Sequence, residues 1–328
     1  MIISKTPLRI SFAGGGTDLA DFYRSPMGPG CVVSTAINKY IYITVNRKFD
    51  DLLRVSYSKT EIVDSVEKVE HNIIREALKL TGVTSGVDVV YMGDIPLGSA
   101  GVGLGSSSAL AVGVLNALYA MKGQHVSAER LAREACQIEI DILGYPIGKQ
   151  DQYAAAFGGM NYLQFNPDES VVVEPVIFRA ATKAAIEQRM LLFYTGQMRV
   201  SSAILTEQRA GIEQNMDLHR QLATMARNLR ASLWENDYDV MGEVLAEGWR
   251  LKTRLASNVT NPTIDRWYDA ALKAGAAGGK LVGAGGGGFL LFCCDESRQP
   301  DVRRALSDLK LCPFSFEPQG SRIIYVGE

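Results

Sequence analysis

Residues Pro96 to Ala109 read Pro-Leu-Gly-Ser-Ala-Gly-Val-Gly-Leu-Gly-Ser-Ser-Ser-Ala, with glycines alternating with small residues until three hydroxyls open an apolar run. Such a loop can cradle phosphate. Gly98, Gly101, Gly103 and Gly105 have no Cβ to hold the backbone away from a ligand, so successive N–H groups can converge on anionic oxygens. Ser106, Ser107 and Ser108 stand where a helix over 107–121 should begin, adding hydroxyls to the positive end of its dipole. A flexible loop that binds nothing is the plain alternative. A Walker loop is excluded, because it needs Lys and then Ser or Thr after the last glycine, and Ser106 follows Gly105 directly.

A second glycine cluster, Gly283 to Gly288, satisfies the G-x-G-x-x-G spacing of dinucleotide-binding folds. That fingerprint requires a helix to follow. Phe289 to Cys294 is instead a short, wholly apolar run that suits a buried strand, so 280–294 is expected to be a strand, glycine turn, strand hairpin. A dinucleotide oxidoreductase would rest on this cluster alone.

The elements around these loops are read from periodicity and turn signals. Strands are expected at 2–12, 31–49, 52–57, 86–95, 160–165, 188–195, 312–318 and 322–326. Helices are expected at 68–81, 107–121, 128–143 behind an N-cap at Ser127, 200–233, 238–257, 262–274 and 301–309. The segment 144–159 reads as turn. Asn-Pro-Asp-Glu-Ser at 166–170 marks a turn or a change of domain, which divides the chain into 1–170 and 171–328. Strands and helices interleaved in both halves indicate an α+β fold rather than a doubly wound parallel sheet.

Composition narrows the partners. A formal charge of −2, 47% hydrophobic and 21% charged residues, and no basic run argue against nucleic acid or an anionic membrane. No apolar stretch is long enough to span a bilayer, and the N-terminus has no signal-peptide design, so the cytosol is expected. The five cysteines are odd in number and scattered, which suits reduced packing residues. Three isolated histidines and no CxxC spacing give no Cys/His metal centre. No coiled-coil heptad or apolar face announces an interface, which leaves a homodimer open.

Three segments are too rich in glycine and polar residues for core: Pro7 to Asp18 (Pro-Leu-Arg-Ile-Ser-Phe-Ala-Gly-Gly-Gly-Thr-Asp), the 96–109 loop, and Lys280 to Gly288. In this order they resemble the three motifs of the GHMP small-molecule kinases, a superfamily that includes galactokinases, homoserine kinases and mevalonate kinases. The resemblance covers nearly the whole chain. Gly-Gly-Gly-Thr-Asp after Arg9, and Gly148-Lys149-Gln150-Asp151-Gln152-Tyr153 followed by Phe157-Gly158-Gly159, are most similar to the bacterial D-glycero-D-manno-heptose 7-phosphate kinases, which phosphorylate the anomeric oxygen. The implied fold is an ATP-binding β-α-β domain with a left-handed crossover, followed by a ferredoxin-like domain, with the active site between them.

The resemblance also implies roles. Asp151, in what reads as a glycine-flanked turn, matches the catalytic aspartate, and Arg9 the basic residue set against it. A guanidinium there would also stabilise transferred charge. Gly101, Gly103, Leu104, Gly105, Ser106, Ser107 and Ser108 would hold ATP. Ser107 and Glu139 align with the Mg²⁺ ligands, whereas Asp141, two residues on, faces away on a helix. Asp18, Gly15, Gly16 and Thr17, with Gly285 and Gly286 of the third motif, would meet the sugar.

Galactokinases carry a Glu-His pair where this chain has Gly15 and Gly16, which leaves room for a bulkier sugar. A distal phosphate would need a cation, from Lys149, Lys39, Arg24 or, preferred, Arg199 in a polar loop before a helix. Taken as residues alone, Asp151 also suits a turn cap, Arg9 a solvated ion pair and Glu139 a solvated helix face. The expected activity is ATP- and Mg²⁺-dependent phosphorylation of a sugar or sugar phosphate at O1. Alternatives are another aldose 1-kinase of the L-fucose type, or a catalytically silent sugar sensor, which would have no use for the metal and base groups.

Overall fold

The computed structural model describes residues 1–96, 103–197 and 201–327; Gly98, Gly101 and Arg199 lie outside them. Strand β1 (Ile2–Ala13) and a short helix α1 (Ala20–Tyr23) lead to the long β2 (Gly30–Arg47), β3 (Leu53–Ser56), β4 (Thr60–Val63), α2 (Asn72–Thr81) and β5 (Val87–Gly93). Helices α3 (Ser106–Met121), α4 (Ala128–Cys136) and α5 (Gln150–Phe157) precede β6 (Met160–Phe165), β7 (Val171–Pro175) and α6 (Ala180–Arg189). The rest comprises β8 (Met190–Tyr194), α7 (Ser201–Ala210), α8 (Met216–Trp234), α9 (Met241–Lys252), α10 (Pro262–Lys273), β9 (Gly278–Leu281), β10 (Phe289–Cys293), α11 (Gln299–Ala305), β11 (Lys310–Leu311) and β12 (Arg322–Val326).

Eight strands form one sheet in the order β12-β1-β2-β5-β3-β4, with β6 paired to the first part of β2 and β7 to β6. Among the described residues only β3 and β5 run parallel within it. On β1, Leu8, Ile10 and Phe12 are fully buried in the main core, so the two-residue period turns Arg9 and Ser11 to the other face. A register shift between Pro7 and Leu8 lies just before Arg9; proline lacks the N–H that regular pairing would use.

The second sheet is antiparallel, in the order β11-β8-β10-β9, and both its faces are covered. Phe289, Leu291 and Cys293 join the main core, while Leu290 and Phe292 pack with Trp249, Ile264 and Val302 in a second cluster. That is why 289–294 reads as an unbroken apolar run rather than an alternation. The expected hairpin is present, with Leu290 opposite Leu281 and Phe292 opposite Gly279.

Several expected elements differ. The turn-like segment after Gly144 contains α5, so Asp151 lies in the first turn of a helix. The helix expected over 128–143 has its Ser127 cap, the hydroxyl accepting from Arg130 N at 3.2 Å. It changes at Gln137–Ile142 to a π turn that carries Glu139, and such π segments favour functional positions. The helix expected over 200–233 breaks between α7 and α8. Of the strand expected over 312–318 one bridge between Phe316 and Ile37 remains, and β11 lies just before it at Lys310–Leu311. The elements α1, β4, β7 and α6 are additional. Because β7 and β12 both belong to the first sheet, a division at 170/171 does not follow the division between sheets. All five cysteines are unpaired, and no helix among the described residues is long and apolar enough to cross a membrane.

Helix α3 is apolar nearly all round and lies across β1 and β2. Its closest approach is at Gly113, where a Cβ would come within 2.9 Å of Thr6 Oγ1 and 3.3 Å of Ile43 Cγ1. Gly113→Leu is expected to cost about 1–3 kcal/mol, read as a Tm several degrees below wild type by calorimetry.

Candidate active site

A cleft of about 500 Å³ opens between the two sheets and takes residues from all three glycine-rich segments. At its floor Arg9 grips Asp151 with two bonds, Nε to Oδ1 at 2.7 Å and Nη2 to Oδ2 at 2.6 Å. The fork geometry sets the carboxylate's orientation. Arg9 is 5% exposed, whereas the Asp151 side chain keeps 22%, so the pair presents its acidic member to the cleft. Arg9 Nη1 also donates to Gly103 O at 2.6 Å, and Arg9 N to Leu104 O at 3.1 Å. The guanidinium and main chain of Arg9 thus tie β1, the Gly103–Leu104 segment and α5 together.

Glycines set the distances here. Gly105 caps α3 in the left-handed conformation (φ 76°), and a Cβ on it would lie 3.2 Å from Arg9 Cγ and 3.3 Å from Asp151 Oδ2. The N-terminus of α3 therefore sits directly against the acidic group. Gly103 and Gly283 touch backbone to backbone; a Cβ on Gly283 would meet Gly103 Cα at 2.3 Å. Segments about 180 residues apart become one wall of the cleft. Ser106 and Ser107 line it, while Leu104 is wholly buried and offers a ligand only its main chain.

Asp18 lines the cleft but is 3% exposed. It accepts from Gly16 N at 3.0 Å and Gln150 Nε2 at 3.1 Å on Oδ1, and from Gln150 N at 3.2 Å on Oδ2. Asp18 thereby caps α5, the helix that carries Asp151. Burial raises its pKa above the ordinary value, and the Asp151 charge adds to this. Gly148 lies against the carboxylate, where a Cβ would come within 2.0 Å of Oδ2.

Glu139 is fully buried. Its Oε2 accepts from Gln152 Nε2 at 2.6 Å, but neither its Oε1 nor the buried Ser108 Oγ completes a hydrogen bond among the described residues. Burial, opposed by the nearby Ser108 and Ser107 hydroxyls, pushes its carboxyl up to about 7. Asp141, on the same π turn, is exposed as expected.

Several anticipated site residues serve the scaffold instead. Thr17 is wholly buried, its hydroxyl accepting from Cys31 N and placed to give its one proton to Gly14 O (2.8 Å) or Cys31 O (2.9 Å), so its polar group is engaged within the scaffold. Gly285 and Gly286 fold back on Val259, with Gly286 N bonded to Val259 O at 2.8 Å; Gly283 and Ala284 reach the cleft in their place. Lys149 and Arg24 both bind Glu169, whose carboxyl they hold down at about 2, and Lys39 does not line the cleft. Gly15 and Gly16 do line it.

Two cations went unassigned in the sequence. Lys280 Nζ donates to Ser11 O at 2.9 Å, and Lys252 Nζ bonds to Gly283 O and, at 3.4 Å, to Leu281 O. Both line the cleft. Burial and the Arg9 charge lower Lys280 to about 8; burial, Lys280 and Arg9 lower Lys252 well below its ordinary value. Lys280 stands inside the third motif and was legible there, but Lys252, at the end of α9, carries no local signal.

Comparison with known proteins places residues 66–159 in the family of GHMP kinases N terminal domains and residues 225–310 in that of GHMP kinases C terminal domains. The chain is 29% identical to a D-glycero-alpha-D-manno-heptose 7-phosphate kinase of Campylobacter jejuni, with 97% of each covered. It is 27% identical to a bifunctional fucokinase/GDP-fucose pyrophosphorylase of Arabidopsis thaliana, over 92% of this chain and 31% of that protein. A solved structure of a D-glycero-D-manno-heptose 1-phosphate kinase from Bacteroides thetaiotaomicron superposes with a TM-score of 0.81 at 26% identity, with all of both chains covered.

The Glu139 shift carries a stability sign. The folded protein holds this proton up to about pH 7 while the unfolded chain releases it near 4.5, so folding stability falls as pH rises through that interval and levels off above it. Glu139→Gln is expected to remove this fall. Without nucleotide or divalent ions, the wild-type Tm should drop several degrees more between pH 5 and 8 than the variant's; equal slopes would contradict the burial assigned to this carboxyl.

Proposed function

The chain belongs to the GHMP kinases, and we infer that this sugar kinase phosphorylates the anomeric hydroxyl of a heptose 7-phosphate, giving the 1,7-bisphosphate. The observation that carries this reading is the Arg9–Asp151 pair facing a cleft directly against Gly105 and the start of α3. Acceptor hydroxyl, base and phosphate cradle fit within one small volume. Phosphoryl transfer needs mainly positioning and charge stabilisation, with a carboxylate to take the hydroxyl proton. Asp151 accepts that proton, and Arg9 orients it and offsets the charge gathering beside it. An anomeric hydroxyl is more acidic than an ordinary alcohol, so a modest carboxylate base suffices.

ATP would lie with its phosphates along Gly103 to Ser107, where the main chain approaches the cleft and α3 begins. Glu139 and Ser107 fit Mg²⁺: one buried carboxylate oxygen with no partner among the described residues and one hydroxyl at the cradle suit an ion that takes few protein ligands. When bound, that ion would neutralise phosphate charge. No cluster of three or more His, Cys, Asp or Glu groups competes for a metal among the described residues. Asp18 holds α5 in place and keeps lone pairs for sugar hydroxyls, while Gly15 and Gly16 leave the acceptor side open. Arg199 remains the basic residue proposed for the distal phosphate, since Lys149 and Arg24 are engaged by Glu169.

The similarity to a fucokinase makes a free 6-deoxyhexose the rival acceptor. ADP release is therefore to be followed with Mg-ATP and a panel of aldoses and aldose phosphates. Turnover of heptose 7-phosphate is expected; turnover of free fucose or hexose with the heptose phosphate inert would overturn the acceptor. Asp151→Asn is expected to lower kcat by about 10²–10⁴-fold and to leave Mg-ATP affinity, by titration calorimetry, within a few-fold. Loss of nucleotide binding in that variant would mean that the residue has another role.

A further inference from the structure

Two lysines that the family motifs leave without a role stand at the reaction end of the cleft, and their surroundings are unusual for buried amines. Lys280 is 7% exposed, and its ammonium rests on the Ser11 and Phe12 carbonyls, at 2.9 and 3.4 Å. Lys252 reaches across from α9 to the Gly283 and Leu281 carbonyls. Among the described residues neither forms an ion pair, so main-chain dipoles alone offset their charge. Arg9 is the third cation in the group, and its one carboxylate partner is Asp151.

All three surround the contact between Gly103 and Gly283: Arg9 Nη1 holds Gly103 O, Lys252 holds Gly283 O, and Lys280 fixes β1 two and three residues beyond Arg9. Keeping positive charge under a cleft without a carboxylate is costly unless an anion enters. Both amines are lowered, by burial first and then by Arg9 for Lys280 and by Lys280 and Arg9 for Lys252, which expresses that cost. Lys252 belongs to one half of the molecule and Arg9 to the other, so an anion between them would draw the walls of the cleft together.

The geometry points to Lys252 and Lys280 as the residues that receive the phosphoryl group being transferred. In that step the acceptor hydroxyl gives its proton to Asp151 and its oxygen forms the new bond to phosphorus. The bond from phosphorus to the oxygen retained by ADP breaks. Charge on the three non-bridging oxygens then meets Arg9 on one side and the two ammonium groups on the other. This rests on placing the reaction at the Arg9–Asp151 end of the cleft, but not on which sugar is the acceptor.

The experiment compares ATP with ADP, without acceptor, by titration calorimetry on wild type, Lys252→Met and Lys280→Met. ADP lacks only the phosphoryl group in question. Each variant is expected to weaken ATP by about tenfold or more while ADP stays within about twofold, and kcat with any turned-over acceptor should fall with its KM little changed. Equal losses for ATP and ADP would overturn the proposal in favour of a role in holding the loops. A rise in KM confined to phosphorylated acceptors would overturn it in favour of the acceptor's own phosphate, and unchanged ATP affinity would overturn it outright. Lys252→Gln and Lys280→Gln, which keep a donor for the carbonyls, give the same reading if a methionine variant fails to fold. Asp151→Asn separates the premises: a failure there moves the base and leaves the ATP-to-ADP comparison standing.

Discussion

The bidentate contact between Arg9 and Asp151 is the constraint on which the site depends. It spans 142 residues of sequence and joins the cleft side of the long strand β1 to the first turn of an eight-residue helix. A helix that short has little stability of its own. It stands because its N-terminus is capped from afar by Asp18, its second residue is held by Arg9 and its third, Gln152, is anchored on Glu139. Each anchor leads to another glycine-rich segment or to the π turn, so the position of the acidic group is set jointly by several remote parts of the chain.

Close packing of backbone supplies the second constraint. Where Gly103 meets Gly283, and where Gly105 meets Arg9 and Asp151, there is no room for a side chain. The left-handed backbone at Gly103, Gly105 and Gly283 adds to the need for glycine. These positions bring main-chain groups of the two sheets to the edge of the cleft, with charged side chains filling in around them. The charges are organised by burial: the carboxyls of Asp18 and Glu139 are raised, and the amines of Lys252 and Lys280 are lowered. Such opposed shifts mark a cavity built for further charge.

Much of this was legible in order along the chain. The three glycine-rich segments do converge, the hairpin at 280–294 forms, and Asp151, Arg9, Ser107 and Glu139 lie around one cleft or directly behind it. The candidates that do not line the cleft share a cause. Thr17, Gly285 and Gly286 have the right types for a site, but each spends its hydrogen bond or its bare Cα on neighbouring backbone. Lys149 and Arg24 look free in sequence and are both claimed by Glu169. Helix α5 went unseen because its signals are tertiary: no residue beside it caps it, and the one that does lies 132 positions away.

By itself, the sequence determined which segments could approach phosphate, because the absence of a Cβ and the placing of serines before an apolar run are local properties. Through the resemblance its three motifs carry it also pointed to the class of chemistry, whereas Arg9, Asp151 and Glu139 taken alone left other roles open. The tertiary structure alone decided which polar groups remain for a ligand, because a hydroxyl, carboxylate or ammonium is available only after its packing neighbours have taken their share. It alone brought Lys252 into the cleft that holds the Arg9–Asp151 pair as well, since charge at a point in space sums over residues that the chain keeps far apart.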